Sequence, residues 1–145
     1  MKDSNVKRWS RFHRLILRST GGRIGRRLVD NDMLLLTTIG RRTNKKHTVP
    51  LLFLEEEGRL IVIASFGGRD HHPEWYLNLL DDPSVVVTTR GTSVVMHART
   101  VSAEERSVWW PRIVHAYSGY EEYQSKTTRA IPVVALEPVL DDTVL

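Results

Sequence analysis

A chain of 145 residues with 41% apolar and 26% charged side chains suits a single folded domain and excludes a fibrous or wholly disordered architecture. It has no cysteine, which excludes a disulfide framework, thiolate catalysis and sulfur-ligated zinc or iron–sulfur sites, and is compatible with a reducing cytoplasm. The net charge of +4 is uneven: residues 1–31 carry nine Lys or Arg against Asp3 and Asp30, a net +7, and the remainder carries twelve basic and fifteen acidic residues, a net −3. A positive arm of this kind favours an anionic lipid, nucleic acid or an anionic ligand.

From Val6 to Arg18, Trp9, Phe12 and Ile16 recur at helical spacing while Lys7, Arg11, Arg14 and Arg18 form a second stripe, which predicts a basic amphipathic helix. Thr20 to Gly25 breaks it at two adjacent glycines. The apolar stretches of the chain are too short for a membrane span or a signal-peptide core, so neither secretion nor membrane insertion is expected. Residues 1–31 are read as this arm and its linker, and residues 32–145 as the folded domain.

Met33 to Ile39 and Thr48 to Leu54 read as two strands flanking a polar turn, with Pro50 confined to a sheet edge, a bulge or a strand start because it cannot donate to a ladder. After the turn at Glu55–Gly58, Leu60 to Ser65 reads as a buried strand. His72 to Leu80 has helical spacing and should end before Pro83. Ser84 to Arg90 and Ser93 to Val101 flank Gly91 as a hairpin. Ser102 and Glu105 form a capping box that starts a helix, in which Pro111 should produce a kink or interruption. A short helical piece around Tyr120 to Lys126 and a last strand, Ile131 to Leu136, complete the order. Short turns between strands require antiparallel pairing, so the expected fold is α+β, about six mostly antiparallel strands closing a small barrel with flanking helices.

Three clusters carry chemical potential. The turn Gly40-Arg41-Arg42-Thr43-Asn44-Lys45-Lys46-His47 gathers four cations and a hydroxyl, able to hold a phosphate or several carboxylates, or simply to be a solvated hairpin. At Ser65-Phe66-Gly67-Gly68 a buried strand ends in a hydroxyl and two glycines, which permits close backbone approach to a ligand or marks a plain turn. Tyr117, Tyr120 and Tyr123, followed by Lys126 and Arg129, recur every three residues; the phenols could wall a pocket or pack on the barrel. Elbow, phosphate-loop and zincin motifs are absent, and the adjacent His71 and His72 would point apart on a helix, so no metal site is expected.

The order of these clusters resembles the deazaflavin-dependent nitroreductase family. The matching segments are Leu35 to Thr43, Ala64 to Gly68, Pro73 to Leu79, Tyr120 to Thr127 and Arg129 to Val133, within a resemblance spanning roughly residues 21–138. It implies a split β-barrel of the FMN-binding type that binds reduced coenzyme F-420, a deazaflavin with a phospholactyl and oligoglutamate tail. The implied coenzyme-binding residues are Arg41, Arg42, Thr43, Lys45, Lys46 and His47 of the turn that grips the tail, Ser65, Phe66, Gly67 and Gly68 lining the deazaflavin, Trp75 and Asn78 beside the coenzyme site, and Pro50, Lys126, Thr127 and Arg129. Tyr117, Tyr120, Tyr123 and Ser65 are the implied catalytic residues on the acceptor face. The sequence departs from the family pattern at Asn44, Lys46 and His47, and at Ser118-Gly119 before Tyr120.

The expected activity is hydride transfer from the reduced deazaflavin to a small hydrophobic electron acceptor: a quinone, an activated alkene or a nitroaromatic. Two other readings stand beside it. One is an FMN-binding split barrel, whose single phosphate needs fewer cations. The other is a membrane-surface module acting through Lys7, Arg11, Arg14 and Arg18 on an anionic bilayer, against which a helix packed on its own barrel is the plainer alternative. No nucleic-acid partner is expected, because no mixed aromatic and basic surface continues beyond the arm. The expected location is cytoplasmic, with a peripheral position at the inner face of the cell membrane tied to the basic helix.

Overall fold

The computed structural model describes residues 33–139; the basic helix expected over Val6–Arg18 lies outside the described residues. Strand β1 (Met33–Ile39) pairs antiparallel with β2 (Lys46–Leu52), which places Pro50 opposite Leu35. The strand expected to run on to Leu54 breaks at Phe53. Its continuation, β3 (Leu54–Glu56), pairs instead with β4 (Arg59–Ile63). Helix α1 (Glu74–Asp81), hairpin β5 (Ser84–Thr89) and β6 (Thr92–Thr100), helices α2 (Ala103–Ala116) and α3 (Gly119–Ser125), and β7 (Val133–Pro138) follow.

All pairings are antiparallel, and the strand order is β2-β1-β5-β6-β7-β4-β3. Strands β2 and β3 therefore stand at opposite edges of the sheet, yet only Phe53 separates them in the chain. The sheet has to curl until its edges meet, and β2 comes into contact with β4. Among the described residues no ladder pairs β2 with β3 or β4, so the barrel is closed by the chain and split along that seam. Pro50 is tolerated because β2 is an edge strand. The corner also accounts for seven strands where the sequence suggests about six.

Alternation along the strands sorts two cores. Leu34, Leu36, Leu60, Val62, Val85, Val87, Val134 and Leu136 fill the barrel interior with Trp75, Tyr76 and Leu79 of α1. On the outer face, Ile61, Ile63, Val133 and Ala135 pack against Trp109 and Ile113 of α2 and Tyr120 of α3. Strands β4 and β7 are thus covered on both sides, which is why they read as unbroken apolar runs. Each fully buried Leu or Ile contributes about 1.5–3 kcal/mol.

The two tight hairpins have two-residue turns with both φ angles positive, Glu57 (52°) with Gly58 (80°) and Arg90 (48°) with Gly91 (78°), the geometry that matches the twist of paired strands. Pro73 precedes α1, two residues later than the pattern suggests. Helix α2 has the expected capping box, Glu105 N donating to Ser102 Oγ and Ser102 N to Glu105 Oε1. It then runs unbroken through Pro111, where a kink or interruption was expected. The Ser107 hydroxyl donates to the Glu104 carbonyl earlier in the helix, and the sheet-facing Trp109 and Ile113 anchor the turns on either side of the proline.

A chain of ion pairs fastens α2 to the sheet: Arg112 to Glu56, Glu56 to Arg59, Arg59 to Glu137, Glu137 to Arg99, and Arg99 in a two-pronged contact with Glu105 at 2.9 and 3.0 Å. The Arg99 guanidinium and the Ser102 amide hold the Glu105 carboxyl down at about 2. A carboxyl depressed in the folded state adds stability above its unfolded value that is lost as pH falls towards its folded one. Glu105→Gln keeps the cap and removes this titration, so its urea midpoint should decline less steeply than that of the parent between about pH 4.5 and 2. Parallel declines would remove Glu105 from the acid response.

Candidate functional site

The seam of the barrel opens into an apolar cleft of about 780 Å³. Val49 to Leu52 of β2 form one side, Ser65 to Gly67 at the end of β4 another, and Trp75 of α1 the floor, with the three tyrosines completing the wall. A second cleft of about 370 Å³ is lined by Gly40, Arg41, Arg42, Thr43, His47 and Asn78. The two share Val49, Glu74 and Trp75, so they form one elongated site with an apolar end and a cationic end.

At the apolar end the chain leaves β4 and winds left-handed, with φ of 48° at Phe66, 64° at Gly67 and 83° at Gly68. Gly68 is required by contact as well as conformation. A Cβ there would lie 2.7 Å from the Tyr123 carbonyl oxygen and 3.0 Å from Tyr123 Cα, so the turn lies directly against α3. Phe66 has no such freedom, and a bulky side chain in this region is rare. It is gripped from outside by Arg69, whose guanidinium sits 4.5 Å from its ring centre, and by the edge of His71 at 5.2 Å.

The tyrosines form an edge-to-face ladder, Tyr117 to Tyr120 at 6.2 Å and Tyr120 to Tyr123 at 5.9 Å between ring centres. Tyr117 caps α2, whereas Tyr120 and Tyr123 belong to α3, so two helices build the wall. Burial and then the neighbouring phenols push the Tyr120 hydroxyl up to about 12. It is therefore neutral across the physiological range and available as a hydrogen-bond donor.

At the cationic end Asn78 organises more than it exposes. Its side-chain oxygen accepts from Arg41 N at 3.2 Å and Arg41 Nη1 at 3.0 Å, and its amide donates to Thr38 Oγ1 at 3.2 Å. It is buried, and its side-chain oxygen acts on the arginine that it aims. The far side of that guanidinium meets Glu74 at 2.9 Å. Thr43 Oγ1 lies 3.2 Å from His47 Nε2 and accepts from Lys45 N, folding the hairpin over Gly40, where a Cβ would come within 2.5 Å of Thr43 Oγ1. Arg42, Lys45 and Lys46 are exposed around this rim.

The remaining expected residues lie behind the apolar cleft. Lys126 is exposed, 3.8 Å from Glu122, and Thr127 Oγ1 accepts from Arg129 N. Arg129 does not reach the hairpin; its side chain is bound to backbone of residues 64–69 and to His72. Three contributors escape a reading of the sequence: Glu74, which lines both clefts; Phe53, which turns the corner; and Gln124, which holds residues 129–131. Glu74 meets a partner far along the chain, Phe53 acts through topology, and Gln124 bonds five and seven residues on within an irregular stretch, so no periodic pattern marks them.

The architecture is a split antiparallel barrel whose seam holds a phenol-walled apolar cleft beside a cationic one. The chain belongs to the F420H(2)-dependent quinone reductase family, whose model matches residues 9–138. It is 33% identical over 130 residues to the F420H(2)-dependent quinone reductase Rv1261c of Mycobacterium tuberculosis, covering 87% of each chain. A solved F420-H2 dependent reductase, FDR-A, superposes with a TM-score of 0.67 at 42% identity, covering 73% of this chain and 94% of its own. Another solved structure, described as a domain-swapped dimer, superposes at 0.69 with 38% identity, covering 83% and 96%. The fold is the split barrel that the resemblance implied, and the family carries the quinone in its name rather than the nitro group.

Gly67 and Gly68 offer a matched test of the turn. Gly67→Ala places its methyl in open space and should cost about 1–2 kcal/mol for conformation alone. Gly68→Ala adds the collision with α3, so chemical denaturation should show a clearly larger loss. Equal losses would mean that the turn and α3 do not touch in solution.

Proposed function

We infer that this protein transfers a hydride from reduced coenzyme F-420 to a quinone seated against the tyrosine wall. The observation that carries the reading is the junction of the apolar and cationic clefts through Val49, Glu74 and Trp75. The residues present fit the coenzyme. A flat ring suits the space between β2 and the Ser65–Gly67 turn, and a phosphate with carboxylates suits Arg42, Lys45, Lys46 and the aimed fork of Arg41. FMN is the less favoured ligand, since one phosphate leaves most of these cations without purpose.

When bound, the coenzyme supplies a two-electron hydride from its deazaflavin ring. The chain's part is to orient and stabilise. Stacking the acceptor against the ring converts a bimolecular encounter into an oriented one, and excluding water from the seam strengthens each polar contact. Tyr120 donates a hydrogen bond to the acceptor oxygen on which negative charge develops, with Tyr117, Tyr123 and Ser65 lining the same face. A phenol held near 12 releases its proton reluctantly, so the proton that completes the hydroquinone comes from solvent. The same chemistry extends to activated alkenes and nitroaromatics, which are likewise electron-poor.

The proposal includes a place in the cell. The net +7 of residues 1–31 supports peripheral attachment to anionic lipid through Lys7, Arg11, Arg14 and Arg18, and the proposed location is the cytoplasmic face of the cell membrane. Deleting residues 1–20 should abolish sedimentation with anionic vesicles and leave neutral vesicles unbound as before. Retained sedimentation would place the contact elsewhere.

Fluorescence titration with coenzyme F-420, followed by turnover of the reduced form with menadione, tests the activity; absence of both binding and oxidation would overturn it. Replacing Arg42, Lys45 and Lys46 together with Ala should raise Kd by about tenfold or more at low salt, the gap narrowing as salt screens the tail. Tyr120→Phe should lower kcat by about tenfold with coenzyme Kd unchanged.

A further inference from the structure

The turn that lines the apolar cleft is held from behind by one side chain. Arg129 Nη2 donates to the Ser65 carbonyl at 2.8 Å, Nε to the Arg69 carbonyl at 2.8 Å, and Nη1 to the Ala64 carbonyl at 3.3 Å. Nη1 also lies 3.0 Å from His72 Nδ1. Four of the five guanidinium N–H donors are therefore engaged, leaving no pair for a two-pronged grip on phosphate.

The arginine is itself anchored. Its carbonyl accepts from Gln124 Nε2 at 2.8 Å, and Gln124 Oε1 accepts from Arg106 Nη2 at 2.8 Å and Ile131 N at 2.9 Å. Arg106 Nε closes the loop by donating to the Ile131 carbonyl at 3.0 Å. A continuous set of bonds thus runs from α2 through α3 to the Ser65–Arg69 turn, and on its inner side Gly68 lies against Tyr123.

Resting on the reading above, we propose that Arg129 is a positioning residue rather than a coenzyme ligand: it clamps the ring-facing turn to the helix that carries the tyrosines, and so sets the gap across which hydride moves. Arginine has no acceptor, so His72 Nδ1 must be the acceptor and its proton must sit on Nε2. Protonating His72 would set two donors and two cations face to face. The other groups around this contact are His71 beside it, the Tyr76 ring at 4.9 Å, and Asp70, which acts on Arg129. Burial, then Arg129, then His71 hold His72 below its ordinary value of 6.5. The clamp is therefore complete above that range and loses one bond as pH falls through the lowered value.

Four variants of the full chain test this. Arg129→Lys, which cannot span four acceptors, should slow single-turnover hydride transfer to menadione at saturating coenzyme by about tenfold. The coenzyme Kd of Arg129→Ala, which lacks the charge, should keep the wild-type dependence on salt, whereas Arg42→Ala should flatten it. A flattened salt dependence in Arg129→Ala would make Arg129 a ligand and overturn the proposal, as would an unchanged transfer rate in Arg129→Lys. His72→Asn offers an acceptor oxygen near the Nδ1 position that does not titrate, so it should flatten the decline in transfer rate below about pH 6.5, each profile being scaled to its own plateau. An acidic limb identical to that of wild type would exclude His72 from the clamp. Amide exchange of residues 64–70 without coenzyme should accelerate in Arg129→Ala, and unchanged exchange would overturn the clamp. A wild-type chain that binds no coenzyme would instead defeat the proposed function while leaving the exchange result to decide the clamp.

Discussion

Phe53 ties together the two edges of a seven-stranded antiparallel sheet, and the site follows from that constraint. One residue cannot bridge the width of an open sheet, so the strands must curl until β2 and β4 face each other. The seam stays free of ladder hydrogen bonds, and a barrel split in this way has an apolar interior that opens along one line. A closed barrel of the same residues would bury that line completely. The apolar cleft lies where curvature brings the edges together but does not zip them.

Around the seam, each wall has its own support. Helix α1 offers Trp75 to the apolar end and Asn78 to the cationic end, so one helix fixes the spacing between them. The tyrosine wall depends on α2 and α3, and the ion pairs from Arg112 to Glu105 hold α2 against β3, β4, β6 and β7. Most of those pairs are partly exposed, and a network of this kind steadies a helix more than it deepens the energy well. The stronger constraint is packing, with Ile113 fully buried and Trp109 and Tyr120 nearly so under the outer face of the sheet.

Polar geometry in the site consists largely of groups that aim other groups. Asn78 uses its oxygen on Arg41, Thr43 engages His47 and Lys45, and Arg129 holds backbone carbonyls. Arg42, Lys45 and Lys46 are left exposed at the rim. Exposed rim charges are screened by salt, whereas the buried and half-buried bonds that aim side chains are screened much less.

Much of this was legible in the amino-acid order. Alternating runs announced the strands, Ser102 and Glu105 announced the start of α2, and the ordered clusters at residues 40–47, 65–68 and 117–123 supply much of the lining of the two clefts. The division of labour within it was not legible. Asn78 and Arg129 both looked like coenzyme contacts, and only the fold shows their polar atoms engaged with residues 37 and more than 56 positions away. Pro111 looked like a break, and packing on either side carries α2 through it. The sequence by itself determined the elements, the turn chemistry and the charges, because those depend on neighbours in the chain. Only the tertiary structure decided the corner at Phe53, the seam and which cations remain at the rim, because those depend on which distant residues the curled sheet brings into reach.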